Sequence, residues 1–169
     1  MSTATPASKT SLASTIGRIA GIIGSDHFAT GERADLRRMV PDQPPPLSFY
    51  RFALSHLPEG WDRNQNTIRD WMTITAGIAI MSPNAHSLER GFGSALAKAG
   101  YSEIRFERLL SSTGNTRRVL VLRAARFLAA KNTPCNWVEG SKLLLTREEE
   151  RETLHRRIAQ DFYRSIDSN

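Results

Sequence analysis

Ile68-Arg69-Asp70-Trp71-Met72-Thr73-Ile74-Thr75-Ala76-Gly77-Ile78-Ala79-Ile80-Met81 carries apolar side chains on two sides of a helix. Ile68, Trp71, Met72, Thr75 and Ala79 form one stripe at helical spacing, and Ile74, Ile78 and Met81 form another. A helix apolar on two sides needs neighbours on both, so this segment is expected at the centre of a helical protein. Its apolar stretch, residues 71–81, is 11 residues long and includes two threonines. A membrane span needs about 20 residues.

Toward the N-terminus, Leu12, Ile16, Ile19 and Ile23 recur at helical spacing, and Gly24 marks a stop. A short helix fits Gly31 to Met39. Four prolines among residues 41–46 then break the chain, which reads as a stiff connection between helices rather than a PxxP ligand. A third helix spans Leu47 to Leu57 and ends at Pro58-Glu59-Gly60.

Ser82-Pro83-Asn84 interrupts the chain after the central helix. Further helices are expected over Leu88 to Lys98, Glu103 to Leu110 with Ser102 as cap, Gly114 to about Ala130, and Trp137 to Leu144. The last opens on Thr146-Arg147-Glu148-Glu149, which matches a capping box, and buries Leu154, Ile158, Phe162 and Ile166. No alternating β-branched run long enough for a strand occurs. The expected fold is all-α: two small packed helical bundles, about nine helices, no sheet. Residues 1–10 read as a flexible tail, 11–84 as an N-terminal helical lobe and 85–167 as a C-terminal helical bundle.

The 169 residues suit one globular domain. Cys135 is the only cysteine, so no intrachain disulfide forms, which suits a reducing compartment. Histidines 27, 56, 86 and 155 lie outside metal-ligand spacing of one another. No Walker loop, G-x-S-x-G or H-E-x-x-H is present. Gly91-Phe92-Gly93 reads as a helix-packing contact, His86 as a loop residue without special role, and Glu148 to Glu150 as acids favouring a helix N-terminus. Neither catalysis, nor a metal, nor a cofactor is expected.

Charge is more telling. Lys plus Arg number 23 against 17 for Asp plus Glu, a net charge of +6, and only Lys9, Lys98, Lys131 and Lys142 are lysines. Arginine's planar fork grips phosphate bidentately and sheds water readily, although a high-GC genome also raises arginine. Residues 101–131 hold seven basic residues against Glu103 and Glu107, a local balance of +5. At about 100° per residue, Arg105 and Arg108 share one face of their helix, opposite Phe106, Leu109 and Leu110. Arg123 and Arg126 lie together on the next, away from Leu120, Ala124, Phe127 and Leu128. Two adjacent cationic ridges suit a track of phosphates. Tyr101 and Phe106 are the local aromatics for stacking and Phe106 reads as core, so backbone tracking is favoured over base contact.

Several local patterns together resemble the small subunit of type I-E CRISPR Cascade complexes, the CasB family. They are Gly31-Glu32-Arg33-Ala34-Asp35-Leu36-Arg37-Arg38, Ser48-Phe49-Tyr50-Arg51, Ser94-Ala95-Leu96-Ala97-Lys98-Ala99-Gly100 and Glu103-Ile104-Arg105-Phe106-Glu107-Arg108-Leu109-Leu110. Leu120-Val121-Leu122-Arg123 with Phe127-Leu128, Asn136-Trp137, and Arg157-Ile158-Ala159-Gln160-Asp161-Phe162-Tyr163 complete the series in order. The resemblance implies two helical bundles without catalytic activity, in a cytoplasmic protein. Its implied partners are the CRISPR guide RNA, target and non-target DNA strands, other Cascade subunits and a second copy of the chain. Its implied role is to hold the displaced strand and stabilise the R-loop, with sequence read by RNA pairing.

Carried over residue by residue, the nucleic-acid contacts are Arg37, Arg38, Arg51, Arg105 and Arg123. Helical geometry and local charge add Arg108, Arg117, Arg118 and Arg126. Ser94 and Ser111 stand where the family usually has a basic residue, and Arg117 and Arg118 are candidates to replace the contact at Ser111. For Arg37 and Arg38 the alternative role is complementing a helix C-terminus, and for Arg51 a salt bridge with Asp70. Trp71, Trp137, Phe162 and Tyr163 read as packing. The alternative function is a free-standing helical DNA-binding regulator.

Overall fold

The computed structural model describes residues 11–168. Among them are nine helices: α1 (Leu12–Gly24), α2 (Thr30–Arg37), α3 (Leu47–His56), α4 (Gln65–Met81), α5 (Phe92–Ala99), α6 (Glu103–Ser111), α7 (Gly114–Ala130), α8 (Trp137–Leu145) and α9 (Glu148–Asp167). The tail expected over residues 1–10 lies outside the described residues. No sheet forms among the described residues, and the architecture is all-α; one isolated parallel bridge joins His86 and Cys135.

Residues 71–79 are all buried, because α4 packs against α1, α2, α7 and α8. The hydrophobic cluster runs from Ile16 to Phe162 and draws on both halves of the chain. Gly77 permits the tightest of these contacts. A Cβ there would lie 2.2 Å from Cη2 of Trp137, whose indole is fully buried. Gly93 does the same between α5 and α9: a Cβ would meet the Ile158 carbonyl oxygen at 2.3 Å. The glycine pair flanking Phe92 is therefore a packing feature, as its sequence context suggests. Phe106 and Phe162 stack within this half of the core, with centroids 3.9 Å apart.

The starts of α5 and α9 differ from expectation. α5 begins at Phe92 rather than Leu88, because the preceding segment is stitched to the start of α8. Ser87 N–H donates to the Cys135 carbonyl (3.1 Å), Cys135 N–H to that of Ala85 (3.2 Å) and Asn136 N–H to that of Arg90 (2.6 Å). Acids from later helices cap α5. Glu139 accepts from Phe92 N–H at 3.0 Å and Asp161 from Ser94 N–H at 2.9 Å, satisfying donors that a helix start leaves free.

The capping box expected at Thr146 does not form. Thr146 N–H donates to the Lys142 carbonyl at 2.9 Å, so this residue closes α8. α9 starts behind Arg147 with no side-chain cap. The Thr146 carbonyl accepts from Arg151 Nη2 at 2.7 Å. Ile158 and Phe162 of the α9 stripe are buried, whereas Ile166 is exposed.

His86 has a structural role the sequence did not disclose. Its Nδ1 accepts from Trp137 N–H at 3.1 Å, which requires that nitrogen to be unprotonated. Burial also holds the imidazole below its usual 6.5. A histidine whose folded pKa is depressed contributes stability present above the unfolded value and lost as pH falls through the folded one. The thermal midpoint is thus expected to drop between pH 7.5 and 5.5, with His56 and His155, shifted the same way, contributing. His86→Asn keeps an acceptor near Trp137 N–H without titrating, and should flatten that slope; an unchanged slope would refute the assignment. Separately, Gly77→Ala is expected to cost about 1–3 kcal/mol by overpacking against Trp137, read from urea unfolding.

Candidate nucleic-acid interface

The sequence-predicted arginines separate into three groups. Arg105 and Arg108 on α6 and Arg123 and Arg126 on α7 are exposed and line a single groove of about 430 Å³. Tyr101, Leu120 and Phe127 complete its lining. Among the described residues none of these four arginines forms an ion pair, so their charge faces solvent unopposed. Arg105 and Arg123 both approach Tyr101 closely enough to favour its phenolate, but burial dominates and raises the hydroxyl's pKa.

Glu103 and Glu107 do not neutralise the groove because they project to the other side of α6. There they line a separate hollow of about 340 Å³ with His155 and Tyr163. The Tyr163 hydroxyl donates to Glu103 Oε1 at 2.8 Å, a bond that raises the phenol's pKa. Helix α6 is thereby two-faced, with cations toward α7 and acids toward α9.

Arg117 and Arg118 belong inside, which corrects the outward placement expected of them. Arg117 is 4% exposed and Arg118 7%. Arg118 Nε donates to Asp70 Oδ1 at 2.8 Å, and its Nη2 reaches the Asn66 carbonyl at 3.3 Å. Arg117 Nη1 donates to the Leu143 carbonyl at 3.4 Å. The reason lies in the α4–α7 contact: the start of α7 is covered by α4 and α8, so its arginines must find partners within the protein. Asp70 pairs with Arg118, not with Arg51 as the alternative reading had it; burial raises the Asp70 pKa, and Arg118 opposes the shift.

The remaining three stand apart from the groove. Arg37 is solvent-exposed, yet its Nε donates to the Ala79 carbonyl at 2.7 Å and its Nη2 to Ser82 Oγ at 3.2 Å. This is the helix C-terminus role, performed on α4 rather than on α2. Arg38 lines a shallow hollow with Met39, Val40 and Pro44. Arg51 is 83% exposed and lies 3.6 Å from Glu32, a geometry that holds it weakly.

Sequence reasoning missed the groove's apolar floor. Leu120 and Phe127 were expected to face away from Arg123 and Arg126, but they line the same hollow. Leu120 and Phe127 sit three residues before and four after Arg123, a spacing that puts all three on neighbouring turns of one helix face. Phe127 also meets Tyr101 edge-on, with centroids 5.1 Å apart, and carries Lys131 Nζ 5.9 Å above its ring.

The family described as CRISPR-associated protein Cse2 matches residues 32–163, a stretch holding eight of the nine helices except for the first residues of α2 and the last of α9. The chain belongs to the CRISPR-associated protein Cse2 family. The membership agrees with the resemblance read from residues 31–163. No curated protein matches the chain. Among solved structures, a chain of E. coli Cascade, described as bound to a PAM-containing dsDNA target, matches at 20% identity and a TM-score of 0.64. The match covers 91% of this chain and 95% of that one, so this Cse2 family member shares that chain's fold. No helix among the described residues is long and apolar enough to cross a membrane.

The fold should depend on the buried Arg118 pair and not on the exposed groove arginines. Asp70→Ala leaves Arg118 buried without its partner and is expected to cost about 3–5 kcal/mol, measured by urea unfolding. Arg105→Glu with Arg123→Glu changes exposed side chains only, and the unfolding midpoint should stay put.

Proposed function

We propose that this chain is a non-catalytic subunit of a CRISPR RNA-guided DNA surveillance complex. Its exposed arginines hold the displaced non-target strand and stabilise the R-loop formed by guide RNA and target DNA. The observation that carries this reading is the convergence of Arg105, Arg108, Arg123 and Arg126 on one groove, in a chain of the Cse2 family. The E. coli relative's complex with target DNA supports it. Four guanidinium groups that form no ion pair among the described residues suit phosphates, which need cations but no base-edge reading. Sequence selection rests with RNA pairing. Arg38 and Arg51, exposed on another part of the surface, supply secondary contacts.

The direct test is affinity purification of the tagged protein from its own host, with sequencing of co-eluting RNA. Repeat-flanked guide RNA together with several protein subunits is the expected result; a lone protein without such RNA overturns the reading. Within the assembled complex, Arg105→Ala with Arg123→Ala should weaken target binding and lower the slope of log affinity against log salt by about 2. An unchanged slope would remove these two residues from the interface.

A further inference from the structure

The arginine groove is more than a charged surface. A phosphate track needs only spaced cations on an accessible face. Here the four arginines surround a hollow of about 430 Å³, within the range of small-molecule sites. Its floor is apolar: Tyr101 and Leu120 are buried, and Phe127 is half-buried. Apart from the guanidinium groups, the Tyr101 hydroxyl is the only side-chain polar group among the lining residues.

From this combination we infer that the groove seats an unstacked nucleobase of a single strand, while the arginines grip the phosphates on either side of it. The inference rests on the nucleic-acid reading above and deepens it by naming the form recognised. Aromatic rings and guanidinium planes both stack on bases, and every base offers a π-face, so such a seat tolerates any sequence. Duplex DNA keeps its bases paired and stacked, and cannot fill the hollow without opening. The seat therefore favours displaced single strand over duplex, a distinction that phosphate contacts alone do not make. An acidic peptide would satisfy the arginines but would leave the ring-lined floor without a planar partner.

The test uses the full chain at low ionic strength and fluorescence anisotropy with three labelled probes. These are a 12-nucleotide single strand, the same length with contiguous abasic sites, and the corresponding duplex. The abasic strand, which keeps every phosphate, should bind about 10-fold more weakly than the intact strand, the scale of one lost stacking contact. The duplex should also bind more weakly than the intact strand, and Arg105→Glu with Arg123→Glu should weaken all three. Equal affinity for intact and abasic strands overturns the base seat while leaving the phosphate grip standing. Absence of binding to every probe overturns both.

Discussion

The burial of α4 on every side is the constraint on which the rest of this protein depends. Nine consecutive residues, 71–79, have no exposed side chain, so helices from both ends of the chain must close around them. The closeness of that packing is set at Gly77, where the Trp137 ring occupies the space of a side chain. Holding α8 against α4 in this way covers the start of α7, and with it Arg117 and Arg118. The surface left for partners is what remains of α7 after α4 has taken its share.

Much of the arginine excess serves this packing. Arg18 donates to the His56 carbonyl at the end of α3 (2.7 Å). Arg33 donates to the carbonyls of Ile23 (2.8 Å) and Ser25 (2.6 Å) at the end of α1, and Arg37 to that of Ala79 near the end of α4. Arg69 reaches the Pro41 carbonyl within the proline-rich connection. Each meets carbonyl groups at a helix end or in a proline turn, where the ladder of intrahelical donors runs out. A guanidinium suits this work because it supplies five donors in a fixed fork and remains charged when partly buried. Composition alone does not separate these from arginines that await a partner; partners in the fold do.

What is left over is concentrated. The acids of α6 turn toward α9, where Tyr163 holds Glu103, and the arginines of α6 turn toward α7. Segregation within a single helix leaves the α6–α7 groove with one sign of charge at its rim and apolar rings beneath. That pairing of long-range attraction with a desolvated floor gives the groove both reach and shape.

The helices were legible because their signals are local. Ser102 caps α6 with its own side chain, as its place before Glu103 suggests, and the apolar stripes of α4 and α9 recur at helical spacing whatever surrounds them. Arg105 with Arg108 and Arg123 with Arg126 were legible as ridges for the same reason. The start of α5 was not, because its caps come from Glu139 and Asp161, far along the chain. Thr146 was misread because α8 claims its N–H before a capping box can form. By itself, then, the sequence determined an all-helical chain with a doubly apolar central helix and arginines grouped on α6 and α7. Only the tertiary structure decided which arginines face inward, since Arg118 and Arg123 differ not in residue type but in whether α4 lies over them.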